Sequence, residues 1–372
     1  MSTKPSSATH PLRLGPAQIR LLERLCTAVA VSGDEGEVRT IVMEQVRPHA
    51  AELKVDALGN LLVTCPSGGE TVNGQKRLRV LLAAHMDEIG FMLTYDDGDG
   101  LYRFEVVGGI DERQLAGKAV WVGRDHLPGV IGAKPIHLTT AEERKRSITV
   151  DALRIDIGPG SNSKVKPGDR ATFATPFARL GPSLRGKALD DRLGVATLIQ
   201  LVKNPPAGID LLAAFTVQEE VGLRGAQVAA YALEPDLAIA VDSTPAMDLP
   251  AWEESGAGPV ENVRYNTRLG NGPAIYVADG ATLADPRLVR HLVDTAEALH
   301  IPYQIRQPGG GGTDAGAMHL ARAGVPSVSV SIPGRYAHTA AGLARLTDWQ
   351  HTLDLLYQAL GRLSAGILAE ER

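Results

Sequence analysis

Two histidines and several carboxylates stand where short apolar runs end. His85 closes the run at 78–84, and Asp87 lies two residues on. Glu219 and Glu220 end the run at 210–218, Asp242 ends 237–241, and His338 comes shortly after 327–332. Asp190 and Asp191 sit in a turn before a helical pattern. Imidazole nitrogens and carboxylate oxygens together form a mixed donor set, suited to zinc, cobalt or manganese rather than to a thiolate-selecting site or calcium.

Each residue alone has a plainer use. Asp190-Asp191 could cap a helix with acids that its dipole favours. Glu219-Glu220 could be a solvated turn, and Asp242-Ser243-Thr244 is good turn chemistry. Placement argues for more, because open α/β sheets bind ligands at the carboxyl ends of their strands. Independent surface acids would not fall repeatedly on one such rim. The other eight histidines lack that setting: His10 lies near the start, His49, His291, His300, His319 and His351 on or beside helical patterns, and His126 and His137 among short strands.

The elements needed to hold this rim are legible. Residues 1–15 read as a flexible N-terminal tail rich in Ser, Thr and Pro. A helical pattern covers 16–30, and Ser32 with Glu35 reads as a capping box opening a second helix to about 46. Two strands are expected within 52–64. The continuous apolar run at 78–84 suits a strand covered on both faces. From 89 to about 177 short strand-like runs recur between Gly, Asp and Pro turns, with no long amphipathic helix, which predicts a small all-β module. Alternating strands and helices then resume: helices over 192–202, 225–233, 286–299, 314–323 and 348–368, strands over 210–218, 237–241, 303–307 and 327–332. The predicted fold is α/β, a mixed, largely parallel sheet with helices on both faces and an inserted small β-barrel-like domain. The catalytic domain occupies 16–88 and 181–372, and the inserted domain 89–180.

Composition bounds the alternatives. The chain has 372 residues, long enough for two domains, with 44% hydrophobic and 22% charged residues. Aromatics are only 4%, so the core must come from Ala, Val, Leu and Ile. With 38 basic and 43 acidic residues well mixed, and a net charge of -5, there is no basic stripe for nucleic acid. The most apolar short run falls far below membrane-spanning length. Cys26 and Cys65 cannot build a disulfide framework or a thiolate metal site, and read as structural. The N-terminal segment has no apolar core of the secretory kind. The expectation is a cytoplasmic protein with no nucleic-acid or membrane partner. The run Gly309 to Gly312 lacks the Gly-Lys-Ser/Thr of a phosphate loop and is expected as a tight loop near the site, with Thr313 or Asp314 capping a helix.

The strings AAHMDEIGFML, GKALDDRLG, FTVQEEVGLRGA, AVDST, GGGGTDAG and IPGRYAHT, in this order, closely resemble those of the tetrahedral aminopeptidases. That family includes glutamyl, leucyl and lysyl aminopeptidases and proteins once described as cellulase M. The resemblance runs from about residue 21 to 360 and includes the inserted module around GGIDERQLAGK and GVIGAKPIHL.

The resemblance implies a metal-dependent aminopeptidase acting on peptide substrates with two divalent ions per subunit, zinc first, cobalt or manganese otherwise. Asp190 would bridge the ions, His85 and Asp242 would complete one site, and Glu220 and His338 the other. Glu219 would be the general base acting on a metal-bridging water, and Asp87 would orient His85. The Asp190–Asp191 peptide would be cis, and subunits would pair into dimers that assemble through the inserted domain into a dodecamer. One departure stands out: relatives carry Ser and then a nearby Glu after the last histidine, whereas this chain reads His338-Thr339-Ala340-Ala341-Gly342. That leaves open how His338 is held. Competing readings are a related dinuclear deacylase or carboxypeptidase, a glycosidase needing two free carboxylates around a sugar, and an assembly protein with a vestigial site.

Overall fold

The computed structural model describes residues 12–66, 71–72, 75–161, 164–249 and 267–372. Two helices open it, α1 (Pro16–Thr27) and α2 (Gly36–Val46). Strands β1 (Glu52–Val55) and β2 (Leu61–Cys65), a short pair β3 (Thr71–Val72) and β4 (Gln75–Lys76), and β5 (Leu78–His85) follow. Six strands come next: β6 (Gly90–Gly98), β7 (Leu101–Val107), β8 (Ala119–Val122), β9 (Leu127–Gly132), β10 (Arg154–Asp156) and β11 (Arg170–Phe173). The chain returns through β12 (Ala178–Leu180), β13 (Ser183–Gly186), α3 (Leu189–Lys203), β14 (Ile209–Thr216), α4 (Arg224–Leu233) and β15 (Leu237–Pro245). It ends with β16 (Ala274–Tyr276), α5 (Pro286–Leu299), β17 (Gln304–Arg306), α6 (Ala315–Met318), β18 (Ser327–Arg335), β19 (Gly342–Arg345) and α7 (Leu346–Arg362).

Eleven strands form one mixed sheet. Its centre, β14-β5-β15-β18, is parallel, while β2 and β19 join its two sides antiparallel. The unbroken apolar texture of β5 follows from burial on both faces. Leu81 and Ala83 pack with α4 and α6, and Val80, Leu82 and Ala84 with α1, α3, α5 and α7. The expected α/β architecture, helices on both faces, is what forms. Because the central strands run parallel, their carboxyl ends share one edge, and that edge carries the site.

Strands β6 to β11 close into a barrel in the order β10-β7-β6-β11-β8-β9. Phe91 sits at its centre, edge-on to Phe104 and Phe173 at ring separations of 5.2 and 5.3 Å. A buried ion network joins barrel and sheet. Lys187 Nζ donates to both oxygens of Glu88, at 2.7 and 2.8 Å, and to Ala28 O. Thr172 of β11 and the Ala30 amide also donate to Glu88, and Arg192 approaches it at 3.4 Å. Buried charge is tolerable only when paired and hydrogen-bonded in this way.

Three local expectations need correction or qualification. Of the expected tail, residues 1–11 lie outside the described residues; Leu12 is buried, its carbonyl accepts from Gln350, and the Leu14 amide donates to the same side chain. The capping box does not form. Glu35 accepts from the Gly33 amide, α2 starts only at Gly36, and the Ser32 hydroxyl goes to Asp87 instead. The helix expected over 314–323 is the short α6, and Asp314 is not its side-chain cap but accepts from Thr216. At Ser32 a buried carboxylate outcompetes local capping for the hydroxyl; at α6 the Asp314 carboxylate is drawn to a distant hydroxyl, and the Thr313 hydroxyl accepts the Ala315 amide instead. Among the described residues, no helix is long and apolar enough to cross a membrane.

Candidate metal centre

The parallel strands bring the candidate residues together. His85 ends β5 beside Thr216 of β14, Glu219 and Glu220 follow β14, and Asp242 lies in β15 opposite Ser331 of β18. Asp190 enters from the start of α3, where it and Asp191 leave helical geometry and their peptide bond is cis. The pair divides two tasks. Asp191 accepts the Gly194 amide at 2.9 Å and serves the helix, while Asp190 turns to the site.

His85 Nε2 lies 3.2 Å from Asp190 Oδ1 and 3.8 Å from Asp242 Oδ1. His338 Nε2 lies 3.3 Å from Glu220 Oε2 and 3.6 Å from Asp190 Oδ2. Two trios result, His85–Asp190–Asp242 and Asp190–Glu220–His338, each with its ligand atoms within 4.8 Å of one another. They share Asp190 through different oxygens. Among the described residues these are the two groupings of metal-ligand type.

Asp87 organises the rim from beneath. Its Oδ1 accepts the Glu219 amide at 3.0 Å and lies 3.5 Å from His85 Nδ1. Its Oδ2 accepts the Glu220 amide at 3.2 Å and the Ser32 hydroxyl at 2.6 Å. Arg192 donates to the carbonyls of Met86 and Asp87, fixing the turn after β5. His85 Nδ1 faces Asp87 throughout, so Nε2 is the atom turned to the trio.

The electrostatics test whether cations fit. Burial pushes the Glu219 carboxyl well above its ordinary value, with Asp242, Asp314 and Glu220 adding to the push. Burial and the Asp190 charge push Glu220 up to about 8, and Asp242 rises for the same two reasons. Asp190 goes the other way: burial opposes its charge, but pairing with His338 and His85 wins and holds its carboxyl well below the usual range. Burial works against a charged His85, yet Asp190, Asp242 and Asp87 together raise it well above its ordinary value. Crowded buried carboxylates pushed toward their protonated forms, facing imidazoles pushed toward theirs, are what divalent cations relieve. The residues present therefore fit metal ions.

The trios floor a cavity of about 800 Å³. Its other walls include Gly310 to Gly312, Leu223, Tyr276 and Arg306, whose guanidinium lies 4.2 Å over the Tyr276 ring.

The family model of M42 glutamyl aminopeptidases matches residues 68–355. The chain belongs to this family. A putative aminopeptidase of Acetivibrio thermocellus is 36% identical, covering 91% of this chain and 97% of the relative. Among solved structures, a TET aminopeptidase from a marine-sediment Thaumarchaeota archaeon superposes with a TM-score of 0.86 at 32% identity, covering 95% of this chain and 99% of its own. The TET1 peptidase of Pyrococcus horikoshii, described as able to assemble into a tetrahedron or a large octahedral shell, gives 0.79 at 33%, covering 93% and 100%. The M42 chain is thus a peptidase of aminopeptidase kinship.

Sequence reasoning missed several residues of this M42 site. Ser32 has the pattern of a cap but holds Asp87. Asp314 is buried, takes one hydrogen bond from Thr216 at 2.5 Å and leaves Oδ1 without a partner; burial first, then Asp242 and Asp87, pushes its carboxyl up to about 7. Its place after a glycine run was the available signal. Gly109 and Gln114, from the turn between β7 and β8, reach His338, and nothing in their local sequence marks them.

Proposed function

We propose that this M42 chain removes the N-terminal residue of peptides with two divalent ions, zinc by preference and cobalt or manganese otherwise. His85, Asp190 and Asp242 would hold one ion, and Asp190, Glu220 and His338 the other. The observation that carries the reading is Asp190, with one oxygen turned to each trio, while Glu219 belongs to neither. When bound, such a pair of ions polarises a scissile carbonyl and lowers the pKa of water toward about 7.

The chain's own groups do the rest. Glu219 acts as general base, taking the proton of the attacking water and passing it to the leaving amine. It belongs to neither trio, and its amide is fixed by Asp87 Oδ1. Glu220 is committed beside His338, so two adjacent glutamates separate holding from shuttling. Asp87 is a positioning residue that orients His85 and both glutamate backbones. Binding of the substrate's free α-amine, at an ion or at a nearby carboxylate, would confine cleavage to the first residue.

Release from a panel of aminoacyl reporter substrates is expected to vanish with chelator and return with zinc, cobalt or manganese. Release that ignores chelator would remove the metal-dependent reading. By kinship with the shell-forming Pyrococcus horikoshii protein, this chain too would assemble, dimers building a dodecamer through the domain at 89–180. Sedimentation is expected to return a large particle, and a monomer alone would contradict it.

A further inference from the structure

The two trios are built to different standards of rigidity. His85 ends a central strand with its side chain almost wholly buried, and Asp242 lies within another strand. His338 stands on the loop after β18, and its side chain is 42% exposed. That loop holds two non-glycine residues in the left-handed region, Tyr336 at φ 61° and His338 at φ 57°. Such backbone persists only when its surroundings over-determine it. The internal Thr339 hydroxyl bonds, to Tyr336 O and from the Ala341 amide, tie the loop to itself but not to the molecule.

The ties to the molecule come from the barrel. His338 Nδ1 lies 2.9 Å from Gly109 O. A carbonyl can only accept, so Nδ1 carries the proton and Nε2 is left facing Glu220 and Asp190. Gln114 Nε2 donates to His338 O at 3.1 Å. Ala340 packs against the barrel's apolar cluster. The same turn also backs Glu220: a methyl placed on Gly108, itself at φ 85°, would stand 3.4 Å from Glu220 Cβ and 2.7 Å from Ile89 Cγ2. A methyl on Gly109 would stand 3.1 Å from His338 Nδ1, closer than ordinary contact. Residues 108–114 therefore hold His338 and leave no room for a side chain beside Glu220, the two unshared members of the second trio.

We propose that the barrel turn, through Gly109 and Gln114, is the positioning element of His338, so that the barrel sets the affinity of the Asp190–Glu220–His338 trio while the His85 trio is set by the sheet. This answers how His338 is held without a carboxylate in the segment that follows it. The proposal rests on the two-ion reading above. By reciprocity, occupancy of that trio and the seating of the barrel against the sheet stabilise one another.

The test is zinc titration by calorimetry into the metal-free full chain, beside the melting temperature and the imidazole ¹H–¹⁵N spectrum of that metal-free form. Gln114→Ala, Gln114→Glu and Gly109→Ala are expected to weaken one of two binding events about tenfold, the lower end for loss of a ligand's outer partner. The other event and the metal-free melting temperature stay as in the parent, and the His338 Nδ1–H signal broadens. The parent's affinities and signal in all three variants would overturn the proposal. So would an equal fall at both events or a lower metal-free melting temperature, since either would make the role merely structural. If the parent itself takes up fewer than two ions, the two-ion reading fails. The His338 signal still decides whether the barrel holds that side chain.

Discussion

Glu219→Gln is expected to keep both ions and the melting temperature of the parent while kcat falls about 10²–10⁴-fold, the usual worth of a positioned proton carrier. The amide keeps the size of the carboxylate and its backbone amide bond to Asp87, so neither packing nor the trios should change. The carboxamide cannot accept a proton at neutral pH, and that is the only function removed. KM should move little, because binding does not need the shuttle. Zinc content after dialysis, a substrate titration and a melting curve check the three parts together. Turnover near the parent's would remove Glu219 from the role of base. Loss of zinc along with turnover would move it among the ligands instead.

Much of this centre is legible in the sequence because its candidate ligands mark the ends of elements. A continuous apolar run ended by His85, and another ended by Asp242, carry their own positional label: buried parallel strands have one functional end. The barrel is legible for a related reason, since short runs between turn residues exclude helices. What stays hidden depends on contacts between distant segments. Ser32 and Glu35 fit a capping box to the letter, but a carboxylate 55 residues away takes the hydroxyl. Thr313 and Asp314 have the pattern of caps; the Thr313 hydroxyl does accept the Ala315 amide while bonding Ser329, whereas Asp314 bonds Thr216, 98 residues earlier. Gly109 and Gln114 meet His338 across more than 200 residues. A local pattern names the groups that want partners, and tertiary packing decides which partner each one gets. The Asp190-Asp191 pair makes the same point within two residues: helix capping and site chemistry are rival readings of the pair, and one residue does each.

Asp190→Asn is expected to have the widest effect of any single ligand change, because Asp190 alone belongs to both trios. His85→Ala or His338→Ala should weaken one zinc-binding event and spare most of the other. Asp190→Asn should weaken both by more than the roughly 10–100-fold that loss of an outer partner costs, and activity should fall to the chelated background. A second signature needs no metal. Pairing with Asp190 is the chief reason His338 titrates at about 9 rather than 6.5 in the metal-free chain. A folded-state value raised in this way stabilises the fold fully below about 6.5 and ceases to do so as pH climbs through about 9. The metal-free parent should therefore lose part of its melting temperature between pH 6.5 and 9, while its zinc affinity rises over the same range as the ligands shed protons. In Asp190→Asn the His338 titration should drop back toward 6.5, and the share of the pH-dependent melting loss that it carries should move down with it. A His338 titration left near 9 would show that another group, Glu220 being the nearer at 3.3 Å, supplies the pairing.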